Sequence, residues 1–333
     1  MPTSTSPNSS TILLLGSGYM ASEYKKVLNS LNQKFIVIGR KHKSYYNKLN
    51  WEESYFSIQH DLGNIKDIIK ENNISKAIVA IDIENCLQAS EILASLGIKD
   101  FLVEKPGALK ATELENFKNN SVEKYKLNVY IAYNRRFFSS VDYLKKLNLN
   151  FTAARLELTE LGDRVANDNS TEASKNRWFI ANTSHVLDCF TYLCGDIQST
   201  SSMTTGHLDW HGGGFKNLVG HGLTKNDVPF SYIGVWNSPG RWSIELCTDE
   251  ERYILCPMEK ILIQKKGSFE PVPLNVEESL DLKYKPGLYL QTENFLKNLN
   301  TNLKSLDEQI NDIKIYSKIA KYDKNITHVK DTK

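Results

Sequence analysis

The chain has 333 residues, enough for two domains of ordinary size and for a core that needs no disulfide or metal to hold it. Its 41 basic and 39 acidic side chains nearly cancel, so charge gives no ground for expecting nucleic acid or an anionic membrane as a partner. No apolar run approaches the roughly 20 residues that span a bilayer. The five cysteines include no CxxC pair and suit a reducing, cytoplasmic setting rather than a disulfide framework or zinc site.

Residues 1–10, MPTSTSPNSS, lack the basic and apolar regions of a signal peptide and are expected to form a disordered lead. TILLLGSG (11–18) is an apolar run closed by glycines, and SEYKKVLNSL (22–31) follows with helical spacing. KFIVIGR (34–40) reads as a strand, 67–73 as a helix and KAIVAID (76–82) as a strand. ENCLQASEILASLG (84–97) reads as a helix stopped at Gly97. KDFLVE (99–104), TELENFKNN (112–120) and NVYIAYN (128–134) continue the alternation as strand, helix and strand. This rhythm predicts a doubly wound parallel sheet covered by helices over 11–134.

Beyond Asn134 the pattern changes. FTAARLELTEL (151–161) alternates in period two, and TSHVLDCFTYLCG (183–195) reads as a helix ended by glycine. Strands at 229–237, 241–248, 252–257 and 260–266 follow without helices between them, and 305–322 reads as a last helix. A second α/β domain over 135–322 is expected, with a large, open, mostly antiparallel sheet and a flexible tail at 323–333. GHLDWHGGGFKNLVGHG (206–222) reads as a glycine-rich loop. Its histidines, His207, His211 and His221, are set aside as metal ligands for want of a ligand-bearing helix, so no metal is expected.

GSGYMA (16–21) matches G-x-G-x-x-A between a strand and a helix. Gly16 permits a tight turn, Gly18 lets the backbone approach a pyrophosphate, and Ala21 lets the helix pack closely. With Ser17, Tyr19 and Met20 these residues form the candidate dinucleotide cradle. NAD would call for an acidic residue about 20 positions later. The sequence there is IGRKHK, with Gly39 and Arg40 and no carboxylate, which suits the 2′-phosphate of NADP in preference to NAD.

FLVEKP (101–106) places Glu104 and Lys105 at the tip of an apolar strand, against Pro106, which fixes its own φ. Together with GSGYMA, YNRRF (133–137), SHVLD (184–188) and KPGLYLQTENFL (285–296), this stretch resembles the Gfo/Idh/MocA oxidoreductases, the family of glucose–fructose oxidoreductase and inositol dehydrogenase. The resemblance runs from about Thr11 to about Ala320, and EKP is its most specific element. It implies an N-terminal Rossmann domain, a C-terminal domain whose open sheet makes a homo-oligomer (dimer or tetramer), and a sugar, sugar acid or nucleotide-sugar as the small-molecule substrate. It also implies that Lys105 reaches the nicotinamide and the reacting hydroxyl, with Glu104 holding it, and that His185 is the acid/base.

Asp82 stands where the family commonly has threonine beside the nicotinamide ribose. Asn134, Arg135, Arg177, Asn182 and Asp188 are the substrate-side candidates, although Asp188 is expected to fix backbone geometry more than to react. Arg136, Arg164 and Arg241 could hold an anionic substrate, and Trp178 and Trp236 could stack on a sugar ring, with core packing as their default reading. Many family members carry an aspartate four residues before the histidine; here that position is Ala181. This departure leaves two alternatives to a simple dehydrogenase. One is a non-catalytic NAD(P)-binding regulator, and the other is an enzyme that retains NAD(P) through oxidation, elimination and reduction.

Overall fold

The structure, a computed structural model, describes residues 10–39, 62–212 and 214–322. The chain divides into two compact units. One contains the chain up to Phe138 together with Glu278–Ile310; the other contains Ser139–Glu277 together with the chain from Asn311. The return of 278–310 to the first unit carries no mark in the hydrophobic pattern, which reads as one continuous run.

The first unit is built on strands β1 (Ile12–Leu15), β2 (Phe35–Ile38), β3 (Lys76–Val79), β4 (Asp100–Glu104) and β5 (Asn128–Ala132). All pair in parallel, in the order β5-β4-β3-β1-β2, and Lys304–Ser305 adds a short antiparallel edge beside β5. Every residue of β1 is buried, as expected for a strand covered on both faces. The helix Tyr19–Ser30 lays Ala21, Tyr24, Val27 and Leu28 against the sheet. After β2 the chain crosses to the other side of β1, so the strand order reverses between β1 and β3. Ligands of open parallel sheets bind at such a reversal, beyond the carboxyl ends of the strands.

The returning segment is tied in by its turn. Gly287 adopts φ +73°, its N–H donates to Asp281 (2.8 Å), and a Cβ there would stand 2.0 Å from the Asn134 carbonyl oxygen. Only glycine meets both conditions. The following helix, Leu288–Leu296, buries Leu288 and Phe295 in the same core as β1.

The second unit carries an eight-stranded sheet. Its strands are β6 (Ala153–Glu157), β7 (Ile197–Thr205), β8 (Asn217–Thr224), β9 (Pro229–Val235), β10 (Ser243–Cys247), β11 (Glu251–Leu255), β12 (Ile261–Lys265) and β13 (Val272–Leu274). The order is β13-β12-β11-β10-β6-β9-β8-β7, antiparallel throughout except for β6 and β9. Burial alternates along β9, which marks a sheet with one open face. Met203, Val219 and Ile233 lie in register across β7, β8 and β9, and are 64%, 43% and 40% exposed.

Three strands here correct the sequence reading. Asn217–Thr224 belongs to the stretch read as a loop, and β7 and the short β13 were not anticipated. The glycines that suggested a loop make room for aromatic neighbours. A Cβ on Gly220 would meet the Tyr232 ring at 2.2 Å, and one on Gly222 would meet the Phe230 ring at 2.6 Å. In β7, IQSTSSMTT offers too few apolar residues to show a period.

His211 is wholly buried among Trp210, Phe215, Trp236 and Tyr322. Its Nε2 lies 3.0 Å from Tyr322 Oη. Burial pushes the imidazole down from 6.5 to about 4. The unfolded chain therefore takes up a proton below pH 6.5 that the folded chain refuses. Stability is fully present above that pH and is lost as pH falls toward 4, at about 1.4 kcal/mol per pH unit. Urea unfolding at pH 6.5 and pH 5 measures this slope, and His211→Leu is expected to flatten it. Among the described residues no cluster of His, Cys, Asp and Glu is placed to hold a metal. Trp236 is also fully buried, with Nε1 donating to the Leu158 carbonyl (3.1 Å), so it is a core residue.

Candidate active site

In the first unit the carboxyl ends of β1, β3 and β4 lie side by side, with Leu15, Val79 and Val103 in register. The chain leaves β1 through Gly16, at φ +136°, with a Cβ position only 2.2 Å from the Ala80 carbonyl oxygen. Gly18 caps the Tyr19–Ser30 helix, has no side-chain cap, and is followed by a first turn without an acidic residue. Among the described residues a Cβ on Gly18 would meet nothing within 4 Å. Unfilled space over uncapped helix N–H groups fits an anionic diphosphate. Ser17 closes the turn against the end of β2, where a Cβ on Gly39 would stand 2.6 Å from Ser17 Cβ. Tyr19 is 55% exposed, with the Lys285 ammonium 5.2 Å from its ring centroid, and Met20 is half-buried. Arg40 lies outside the described residues.

Asp82 is exposed at the N-cap of the Ile83–Ser95 helix and makes no side-chain cap. Glu104 ends β4, and Lys105 follows one strand beyond β3, so the lysine turn and the glycine turn are two strand spacings apart, about 10 Å across the sheet. The Lys105–Pro106 peptide is cis. Burial raises the Glu104 carboxyl above its ordinary value, against the opposing pull of a Tyr24 hydrogen bond (2.9 Å) and of Lys105 and Lys285. Gln309, fully buried, donates to the Pro106 carbonyl (2.8 Å). Asn134 donates to the Pro286 carbonyl (2.9 Å), and the Arg135 guanidinium lies 5.7 Å from the Phe138 ring centroid.

The second unit places its candidates on one continuous helical stretch. A π-turn, Phe179–Thr183, runs directly into the helix Ser184–Cys194. His185 is the second residue of that helix, 4% exposed, with its ring 6.1 Å from that of Trp242. Asp188 is wholly buried one turn later. The Arg177 guanidinium lies 5.1 Å from the Tyr322 ring centroid. Asn182 and Thr183 both donate to Glu160, at 3.3 and 2.7 Å, and Glu160 is 7% exposed. A carboxylate thus stands beside this segment although position 181 is alanine.

Glu160, Tyr24, Gln291 and Gln309 escaped the sequence reading, and no local feature of the sequence singles them out.

A parallel sheet with an uncapped glycine turn at its strand reversal, joined to a unit with a broad open sheet, defines a Rossmann-type two-unit fold. No protein-family model matches the chain, and no curated protein matches it in sequence. Solved structures do match. A dehydrogenase (MviM) from Clostridium difficile is 15% identical with a TM-score of 0.74, over 94% of this chain and 99% of that one. UDP-N-acetylglucosamine 3-dehydrogenase GnnA from Acidithiobacillus ferrooxidans is 11% identical with a TM-score of 0.70, over 93% and 96%. Levoglucosan dehydrogenase, solved with NADH and L-sorbose, is 13% identical with a TM-score of 0.70, over 93% and 95%. The chain has the fold of these oxidoreductases.

Proposed function

We propose that the chain is an NAD(P)-dependent dehydrogenase or reductase of the Gfo/Idh/MocA type, acting on a sugar, sugar acid or nucleotide-sugar. The observation that carries this reading is the placement of the Gly16–Gly18 turn and the Lys105 turn at the same edge of one parallel sheet. The sugar dehydrogenases among the structural neighbours support the substrate class.

Gly16, Ser17, Gly18, Tyr19 and Met20 would hold the diphosphate through backbone N–H groups, and Arg40 would favour NADP by gripping its 2′-phosphate. When bound, the nicotinamide exchanges hydride with a carbinol or keto carbon. Lys105 hydrogen-bonds the reacting oxygen and stabilises the charge that develops there. His185 exchanges the hydroxyl proton, a task suited to an imidazole. The exposed stripe of Met203, Val219 and Ile233 supports self-association through the open sheet.

The test follows NADPH and NADH absorbance with a panel of keto-sugars, sugar acids and nucleotide-sugars. Turnover with at least one substrate is expected, and His185→Gln should lower kcat by roughly 100-fold or more. Absence of nucleotide binding at millimolar concentration would end this reading. Ala181 favours a second one, a non-catalytic NAD(P)-binding regulator; tight binding without turnover on the whole panel would select it.

A further inference from the structure

The returning segment sends two buried amides toward the lysine turn. Gln291 is 1% exposed. Its amide satisfies its neighbours when the carbonyl faces the N–H groups of Tyr133 and Asn134, each at 3.1 Å, and the NH2 faces Tyr24 Oη at 3.3 Å. Tyr24 is wholly buried in the Tyr19–Ser30 helix, and its hydroxyl donates to Glu104 Oε1 at 2.9 Å. The Lys105 N–H also bonds Glu104. The result is a directional chain from the end of β5, through a residue nearly 160 positions away, to the carboxylate adjoining Lys105.

We propose that Tyr24 and Gln291 are positioning residues for Lys105: their hydrogen-bonded chain holds the Glu104 carboxylate in place as the counter-ion of the lysine ammonium. This deepens the dehydrogenase reading and rests on it for the role of Lys105. By donating to the Tyr24 oxygen, the Gln291 amide orients the hydroxyl and strengthens its donation to Glu104. The charged and titratable groups facing Glu104 are Tyr24 and Cys86 from two helices, Lys105 on its own turn, and Lys285 from the returning segment. Burial pushes Tyr24 well above its ordinary range and Cys86 up to about 12. Both are neutral near pH 7, so the two lysines are the positive groups that oppose the upward push of burial on the Glu104 carboxyl. Gln309 acts on the same turn differently: it fixes the Pro106 carbonyl without touching the carboxylate.

The experiment reads Lys105 directly and needs no substrate. The intact protein is treated with trace acetic anhydride at pH 7, and the acylation rate at Lys105 is measured by peptide mass against Lys146, an exposed reference. Removing the counter-ion raises the free-amine fraction, so Glu104→Gln should react about tenfold faster. Tyr24→Phe and Gln291→Met should each react roughly two- to fivefold faster. Gln309→Ala should leave the rate within twofold. Thermal melts confirm that each variant is folded. Tyr24→Phe and Gln291→Met both reacting like the wild type while Glu104→Gln reacts faster would overturn the proposal, as would a wild-type rate in all three. If the rates shift as expected but the wild type binds no nucleotide, the dehydrogenase reading fails and the positioning chain stands.

Discussion

Lys105→Ala is expected to lower kcat by about three orders of magnitude while nucleotide affinity stays within a few-fold. Lys105 follows β4 at the carboxyl edge of the sheet, and its charge bears on the half-buried Glu104 carboxyl. In the proposed mechanism the ammonium acts on an oxygen that gains charge in the transition state, so its removal falls on turnover rather than on binding. In the proposed reading the diphosphate is held elsewhere, by backbone at Gly16–Met20, which the substitution does not touch. Lys105→Arg is not expected to restore the rate, because a planar guanidinium cannot occupy the place of a compact ammonium. Steady-state kinetics paired with fluorescence titration of NADPH separates the two effects. A variant that keeps full turnover would remove Lys105 from the mechanism.

The second large effect comes from a contrast between two glycines of one turn. In Gly16→Ala the new methyl would stand 2.2 Å from the Ala80 carbonyl oxygen, on a backbone at φ +136° that alanine avoids. The strand ends must then separate, with a loss of about 1–3 kcal/mol in stability and of nucleotide binding together. In Gly18→Ala the methyl meets no atom of the described residues within 4 Å, and φ is an ordinary −84°. Melting should stay within about 0.5 kcal/mol of wild type, while nucleotide affinity falls about 100-fold because the methyl enters the space proposed for the phosphates. Calorimetric titration and thermal melts on both variants check this. Unchanged affinity in Gly18→Ala would mean that the space over the turn is not a phosphate site.

The parallel sheet was legible because its strands are short apolar runs separated by helical periods, and burial on both faces leaves that pattern clean. β6 was legible through alternation, and β9 and β10 as apolar runs that follow one another without helices between them. β8 was not, because Gly220 and Gly222 read as breakers in one dimension and serve as seats for Tyr232 and Phe230 in three. At the site, Gly16, Gly18 and Lys105 carry signals in sequence, since a backbone conformation or a charge beside a buried strand is locally conspicuous. Tyr24 sits at an ordinary helical core position, and nothing local distinguishes its hydroxyl from packing. Gln291 and Gln309 lie nearly 190 and just over 200 residues from the turn they approach, and only chain topology brings them there. Glu160 is hidden in the same way: the carboxylate beside Asn182 comes from beyond β6 rather than from position 181.

The passage of 278–310 through the first unit also bears on how such a protein can be divided or recombined. A polypeptide ending at Phe138 would keep all five parallel strands yet lose the Lys304–Ser305 edge over β5, Leu288 and Phe295 from the core, and both glutamines behind the lysine turn. It would present a bare, apolar strand edge to its own kind. Exchange of nucleotide-handling halves between such proteins therefore has to move two separate gene segments at once, and a single crossover strands a half-built sheet.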